Sequence, residues 1–450
     1  MRNLLNQSAE RSIHYLENQG SRSVYPSPQA LEQLARLDIP LPHEPTPPEQ
    51  VLAMLDEIGS PATVTSTGGR YFGFVTGGTL PAALAVNWLA SAWDQPADMV
   101  IASPIGARIE QIAMRWLLDV LSLPADSGVG FVTGATMANF AGLAAARHAI
   151  LDKLGWDVEA RGLFGAPEIT VVASDQVHVS LLKALSLLGL GRERLIRVPV
   201  DNQGRIIATE LPELNPNTIV CLLAGNVNSG AFDPADEICA AARRAGAWVH
   251  VDGAFGLWAA AASARAYLTS AYDQADSWAV DAHKWLNVPY DSGIVICRRE
   301  EHLRAAMSYD ADYLIQGADR EPGQFTPEMS RRARGIEIWA ALLSLGRAGL
   351  ADLIERSCRY AARFAQVLSK AGYSILNDVV LNQVLVSFGD DETTHRVIAA
   401  LQADGTCWCG GTLWHGQPAM RISVSSWATT EQDVEQSLQA ILRIAAQEAQ

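Results

Sequence analysis

The octapeptide Asp281-Ala282-His283-Lys284-Trp285-Leu286-Asn287-Val288 and the pentapeptide His250-Val251-Asp252-Gly253-Ala254 hold the residue types with the most chemical consequence in this chain. Lys284 falls on a turn between two apolar, strand-like runs, residues 277–280 and Gly293–Cys297. Asp252 closes a third such run, residues 247–251. A lysine can condense with an aldehyde, and an aspartate can keep a pyridine nitrogen protonated. Together they are the minimal protein equipment for pyridoxal 5'-phosphate chemistry. His283 and Trp285 flank the lysine, and such walls strip its solvation and favour the neutral, nucleophilic amine. A carboxylate at the mouth of an apolar strand needs a cationic partner, which a pyridinium nitrogen provides.

Other residues can converge on this pair, because ligands of an α/β sheet bind outside the carboxyl ends of its strands. Thr133-Gly134-Ala135-Thr136 precedes a helix-like stretch, so its amides, the helix dipole and the Thr136 hydroxyl make an anion site suited to phosphate. His178 reads in two ways: a core histidine satisfied by backbone, or a ring stacked on a cofactor with an N–H directed to a substrate carboxylate. Arg421 is either a structural arginine or a fork that grips a carboxylate. Tyr71, Phe72 and Trp93 are either plain core or the wall of an aromatic-tolerant substrate pocket.

Composition narrows the classes. A chain of 450 residues exceeds what one hydrophobic core sustains, so two domains, or one with appendages, are expected. The net charge of −15 leaves no basic surplus for a nucleic-acid backbone. The opening residues carry no secretory pattern, and the apolar stretch 80–93, with Pro81 and Asn87, is short for a membrane span. Six scattered cysteines then read as reduced thiols, and a cytoplasmic location is expected. Cys407-Trp408-Cys409 is too tight for a zinc site and lacks a second ligand pair, so no metal is expected.

The pattern along the chain divides it into three. Residues 1–66, with a proline-rich stretch at Pro40–Pro48, read as an arm or linker rather than a core element. Residues 67–310 alternate helical and β-branched runs. Helices are expected over 106–123 and 136–154, and buried strands over 168–173, Thr218–Leu223 and 247–251. Asp233-Pro234 reads as an N-cap followed by proline at the first helical position, and Gly246 as the stop. Strand, helix and strand make a right-handed crossover, so this is an α/β domain around a mostly parallel sheet with helices on both faces. Residues 311–450 read as a smaller α+β domain: a helix near 331–345, alternating runs at 384–388 and 420–424, and a last helix opened by Thr430-Glu431-Gln432-Asp433.

With these motifs in order, the chain resembles the pyridoxal-phosphate-dependent group II decarboxylases, the fold-type-I family of aromatic-amino-acid, glutamate and diaminobutyrate decarboxylases. The markers are Tyr71-Phe72-Gly73-Phe74, Ser103-Pro104 with Glu110, Thr133 to Asn139, Ser174 to His178, Gly230-Ala231-Phe232-Asp233-Pro234, the two stretches above, Ser330-Arg331-Arg332 and Arg421-Ile422-Ser423. The resemblance implies that Lys284 holds the cofactor aldehyde, Asp252 pairs with the ring nitrogen and His178 stacks on the exposed ring face. It also implies that Ala254 packs on the opposite face, and that Gly134, Ala135, Thr136 and His283 hold the phosphate. It further implies a homodimer with the arm wrapped round its partner.

The implied reaction is decarboxylation of an L-amino acid to an amine and carbon dioxide. The aromatic residues would suit an aromatic or apolar substrate, with Arg421, Phe72 and Trp93 as candidate contacts. Three departures stand out. Gly225-Asn226-Val227 replaces the family's Gly-Thr-Thr, Thr136-Met137 replaces Ser-Glu, and residues 315–329 contain Phe325 but no tyrosine. A tyrosine in that loop returns a proton in many of these enzymes, and phenylalanine there accompanies aldehyde formation. Tyr309 and Tyr313 lie just before it. The alternatives are therefore decarboxylation with oxidative deamination, an aldolase, lyase or transaminase reaction, or a pyridoxal-phosphate-binding relative without turnover.

Overall fold

The computed structural model describes residues 1–309 and 320–448. Seven short runs, all but the edge strand β3 fully or largely buried, form the central sheet: β1 (Gly128–Val132), β2 (Thr170–Ser174), β3 (Ile196–Val198), β4 (Thr218–Leu223), β5 (Trp248–Asp252), β6 (Ser277–Asp281) and β7 (Gly293–Cys297). Their order is β1-β7-β6-β5-β4-β2-β3. All neighbours are parallel except β7, which runs antiparallel to both β1 and β6. That reversal positions the site. The chain leaves the carboxyl end of β6 and turns straight back into β7, so the Lys284 turn lies at the carboxyl ends of β1, β2, β4, β5 and β6.

Local chemistry explains the helices that frame this edge. Ser103 accepts the Gly106 N–H at 3.2 Å and Pro104 follows it, which starts the Pro104–Val120 helix. Gly246, at φ 70°, closes the Ala235–Ala245 helix in the left-handed conformation. Asp233 does not cap that helix as the sequence suggested. Pro234 takes the N-cap position, and the Asp233 carboxylate accepts the backbone N–H groups of Leu223 and Ile206 at 2.6 and 2.8 Å. The helix expected near 331–345 runs from Gly335 to Lys370, broken by a left-handed residue at Gly346.

The second half of that helix enters a smaller unit. There β8 (Ser374–Ile375), β9 (Gln383–Ser387), β10 (Gly410–Trp414) and β11 (Gln417–Ser423) form an antiparallel sheet ordered β10-β11-β9-β8. Helices Asp391–Asp404 and Glu431–Glu448 pack on it around Phe364, Val386, Leu401, Met420, Ile422 and Ile441. The last helix opens on the expected reciprocal cap. Thr430 Oγ1 accepts the Asp433 N–H at 3.2 Å, and Asp433 Oδ2 accepts the Thr430 N–H at 2.9 Å. By contrast, helices Arg2–Asn18, Pro28–Gln33 and Pro48–Met54 bury none of their residues within this chain.

The start of the Gly335–Lys370 helix is tied to the Pro104–Val120 helix by a bidentate ion pair. Arg331 donates to both oxygens of Glu110 at 2.7 and 3.0 Å, with each side chain 2% exposed. Glu110→Ala strands that guanidinium, and urea unfolding should show a loss of about 3–5 kcal/mol. The double variant Glu110→Met/Arg331→Met should lose less than the single. A loss below about 1 kcal/mol for Glu110→Ala would show that the pair behaves as a surface one.

Candidate active site

Asn287 builds the Lys284 turn. It is fully buried in the left-handed conformation (φ 56°), which asparagine tolerates better than most residues. Its Oδ1 accepts the N–H groups of Gly78 and Trp427 at 2.6 and 2.9 Å. Its Nδ2 donates to the carbonyls of Trp285 and Ser425 at 2.8 and 3.0 Å. One side chain thus pins the turn to the segment before the Pro81–Trp93 helix and to the small unit. Gly77 closes the turn from outside, because a Cβ there would lie 1.8 Å from the Lys284 carbonyl oxygen.

Lys284 Nζ pairs with Asp281 Oδ2 at 3.0 Å. The other oxygen of Asp281 accepts the Ala135 N–H at 2.6 Å, at the start of the Ala135–Lys153 helix. This modifies the expected phosphate cradle: the Ala135 amide is already engaged by Asp281. The donors left at this helix start are the amides of Thr136 and Met137, the Thr136 hydroxyl and His283. The His283 Nδ1 accepts the Ser292 N–H at 3.2 Å, so a neutral ring carries its proton on Nε2, 3.5 Å from Asp281 Oδ1. Burial, more than any neighbour, lowers the pKa of His283. The ring of Tyr290 covers it, with centroids 4.4 Å apart.

Asp252 ends β5 with 4% of its surface exposed. Its Oδ2 accepts from Asn139 Nδ2 at 3.0 Å and its Oδ1 from the Ala254 N–H at 3.2 Å. Ser180 Oγ lies 3.5 Å from Oδ2 and 2.8 Å from His178 Nδ1. His178 caps the Val179–Leu187 helix by accepting the Ser180 N–H at 3.2 Å, which leaves its Nε2–H free to point outward. Burial lowers the pKa of His178, although the nearby Asp252 opposes the shift. The structure thus gathers Gly134, Thr136, His178, Asp252, Ala254, His283 and Lys284 at one edge.

The substrate candidates separate. Arg421 on β11 reaches over from the small unit, with Nη1 donating to Val227 O and Asn228 Oδ1 at 3.2 and 3.3 Å. Its Nε is buried without a hydrogen-bond partner, and no acidic side chain pairs with it among the described residues. Tyr71 stands close by, stacked on Trp408 at 5.1 Å, and Phe74 meets the other edge of this cluster at 5.4 Å from Trp408. Burial pushes the Tyr71 phenol up to about 12.

Phe72, by contrast, points the opposite way, as alternation along an extended segment requires, and packs edge-on to Phe364 inside the small unit. Trp93 lines a separate cleft with Ser330, Arg331 and Arg332. Phe325 is also core: 2% exposed, beneath the Arg320 guanidinium at 3.6 Å. Tyr313 lies outside the described residues. Asn226 turns its oxygen back onto the Asn228 and Ser229 N–H groups of its own loop.

The arrangement fits pyridoxal phosphate. A buried carboxylate held by neutral donors, with no cationic side chain in ion-pair contact among the described residues, asks for a cation where a ring nitrogen would lie. A family model described as the pyridoxal-dependent decarboxylase conserved domain matches residues 28–389. The chain belongs to the pyridoxal-dependent decarboxylase family. Its cofactor is pyridoxal phosphate.

Among relatives, an aromatic-L-amino-acid decarboxylase of Bacillus atrophaeus is 28% identical over 316 residues, 67% of this chain and 63% of that protein. An aspartate 1-decarboxylase of Aliivibrio fischeri is 31% identical over 265 residues, 55% of this chain and 48% of that protein. The chain thus spans about half to two-thirds of these two proteins. Crystals of Oryza sativa TDC with PLP and tryptamine show the same fold, with TM-score 0.91 and 22% identity over 99% of this chain and 97% of that one.

Among the described residues, no cluster of three or more His, Cys, Asp or Glu side chains is placed to hold a metal ion. No described helix is long and apolar enough to cross a membrane.

His250, two residues before Asp252 and fully buried, has its pKa lowered to about 4 by burial. The unfolded chain takes up this proton below about pH 6.5, whereas the folded one does so only near 4. His250 therefore removes stability as pH falls through that window, by up to about 1.4 kcal/mol per unit. Urea unfolding of wild type and His250→Gln should show their stability difference moving in favour of the variant by that slope between about pH 6.5 and 4.5. A pH-independent difference would contradict a neutral His250.

Proposed function

We propose that this chain decarboxylates an L-amino acid with an aromatic or apolar side chain to the amine and carbon dioxide. The observation that carries the reading is the convergence of Lys284, Asp252 and His178 with the carboxylate-free guanidinium of Arg421. Bound pyridoxal phosphate supplies an electron sink when the bond from Cα to the carboxylate breaks. Lys284 would hold the cofactor's aldehyde carbon. Asp252 would keep the ring nitrogen protonated, and His178 would cover the ring and offer Nε2–H to the substrate. Arg421 grips the substrate carboxylate and so decides which bond stands across the ring plane. The carboxyl carbon leaves as carbon dioxide and a proton replaces it on Cα. Tyr71, Trp408 and Phe74 supply an apolar wall beside Arg421, which suits an aromatic side chain.

A second reading rests on the absence of tyrosine from residues 315–329. Without that acid, oxygen and water can intercept the reaction to give aldehyde, ammonia, carbon dioxide and hydrogen peroxide.

The reading includes a homodimer, in which a second copy covers the arm, residues 1–66. The apolar Leu5, Ile13 and Leu16 of its first helix are exposed on this chain. It divides the rest into a cofactor domain over 67–310 and a small domain over 311–450. It also includes a cytoplasmic location, where six buried free cysteines stay reduced.

The test is incubation of the cofactor-loaded protein with a panel of amino acids. Amine and carbon dioxide in equal amounts support the first reading, whereas aldehyde with ammonia and peroxide supports the second. No turnover of any amino acid would overturn both. With the substrate found, Arg421→Gln should lower kcat/KM by about 10- to 100-fold, the loss of charge-assisted hydrogen bonds. An unchanged kcat/KM would remove Arg421 from the site.

A further inference from the structure

Behind Asp252 runs a buried chain of polar groups that the reaction itself does not touch. Trp248 Nε1 lies 3.0 Å from Ser277 Oγ, and Ser277 Oγ lies 2.8 Å from His250 Nδ1. His250 Nε2 lies 2.9 Å from Asn139 Oδ1, and Asn139 Nδ2 lies 3.0 Å from Asp252 Oδ2. Ser277, His250 and Asn139 have no exposed surface.

The donors settle the direction. An indole N–H only donates, so Ser277 accepts from Trp248 and gives its single proton to His250 Nδ1. The neutral ring then carries its hydrogen on Nε2 and donates to Asn139 Oδ1. The Asn139 amide is thereby left to donate to Asp252, and a flipped amide would set N–H against N–H. Each link fixes the next.

The sequence sets this up in two elements. Trp248, His250 and Asp252 alternate along β5, so all three side chains leave one face of the sheet, towards the Ala135–Lys153 helix. On that helix Asn139 and Gly142, three residues apart, share a face. Gly142 makes room for the ring: a Cβ there would lie 2.8 Å from His250 Cε1. A sheet–helix interface built only for stability fills such a place with apolar side chains, since a partly satisfied buried network is worse than none. Here the network is complete, and its end is the one carboxylate oxygen that faces Asn139.

We propose that His250 and Asn139 are positioning residues, with Ser277 and Trp248 behind them, that aim the Asp252 carboxylate at the cofactor's ring nitrogen. This rests on the cofactor reading above. The chain is neutral throughout, His250 being held uncharged by burial, so it orients Asp252 without competing with the ring nitrogen for its charge. The Ala254 N–H holds the second oxygen, while His178 and Cys221 are the other titratable groups whose charge states feel Asp252 directly.

The experiment measures the dissociation constant of pyridoxal phosphate by equilibrium dialysis, together with kcat and KM. It uses the full chain as wild type, His250→Leu, His250→Gln and Asn139→Ala, each checked for folding by circular dichroism. His250→Leu and Asn139→Ala should weaken cofactor binding about 10- to 100-fold, as loss of a hydrogen bond to a charged group does. They should lower kcat and leave the amino-acid KM within about twofold, because ground-state substrate binding is untouched. His250→Gln, whose amide can still donate to Asn139, should recover most of both.

Wild-type values in folded His250→Leu would overturn the proposal, and so would a His250→Gln as impaired as His250→Leu. Should His250→Leu not fold, Asn139→Ala decides by the same two constants. A wild type that binds no pyridoxal phosphate would overturn the cofactor reading itself, and this proposal with it.

Discussion

The structure depends on one electrostatic constraint, the uncompensated carboxylate of Asp252 at the end of β5. Removing a carboxylate from water costs several kcal/mol even after relaxation, and neutral donors offset only part of that. Asn139 and Ala254 hold both oxygens with N–H groups, yet no cationic side chain completes the pair among the described residues. A cofactor bearing a protonated ring nitrogen would complete it. Lys284, the only lysine or arginine on the β6–β7 turn, is instead engaged by Asp281 three residues earlier. The two carboxylates therefore differ: Asp281 holds the Lys284 amine, and Asp252 is left without a cation, as its proposed pairing with the ring requires.

A similar division holds between the two units. The large one carries the residues proposed to meet the cofactor, from the Gly134 turn to Lys284. The small one supplies Arg421 across the gap, and its buried Nε lacks a partner just as Asp252 lacks a cation. Asn287 ties the joint between them through its hydrogen bonds to Trp427 and Ser425, while Gly77, having no Cβ, lets its own segment pack against the Lys284 turn. A site whose two charged ends come from different units needs such a joint, because small misplacements of reacting groups cost large factors in rate.

Much of this was legible in the sequence. The short β-branched runs gave β2, β4, β5, β6 and β7 to within a residue or two, and Gly246 and Thr430 marked helix ends through chemistry that acts locally. Lys284, Asp252 and His178 could be placed because each directly follows such a run. What was not legible depends on direction and on distant neighbours. Periodicity does not say that β7 runs backwards, and that reversal is what folds the Lys284 turn over the strand ends. Phe72 looked like a pocket residue until the alternation with Tyr71 was anchored by Trp408. Trp93 and Phe325 belong to other contacts for the same reason. Asp233 reads as a cap, but its carboxylate accepts the N–H groups of Leu223 at the end of β4 and of Ile206, which lies before that strand. Asn139 and His250 lie 111 residues apart in sequence, and only packing shows that they meet.

The most direct test of the account is the visible absorption of the protein loaded with pyridoxal phosphate, in wild type and in Lys284→Ala, before and after borohydride reduction. The account predicts a visible band in wild type that reduction converts into a cofactor bound irreversibly at Lys284, found there by peptide mass. It predicts neither in Lys284→Ala. A band that survives in the variant, or a reduced cofactor found on another lysine, would contradict it.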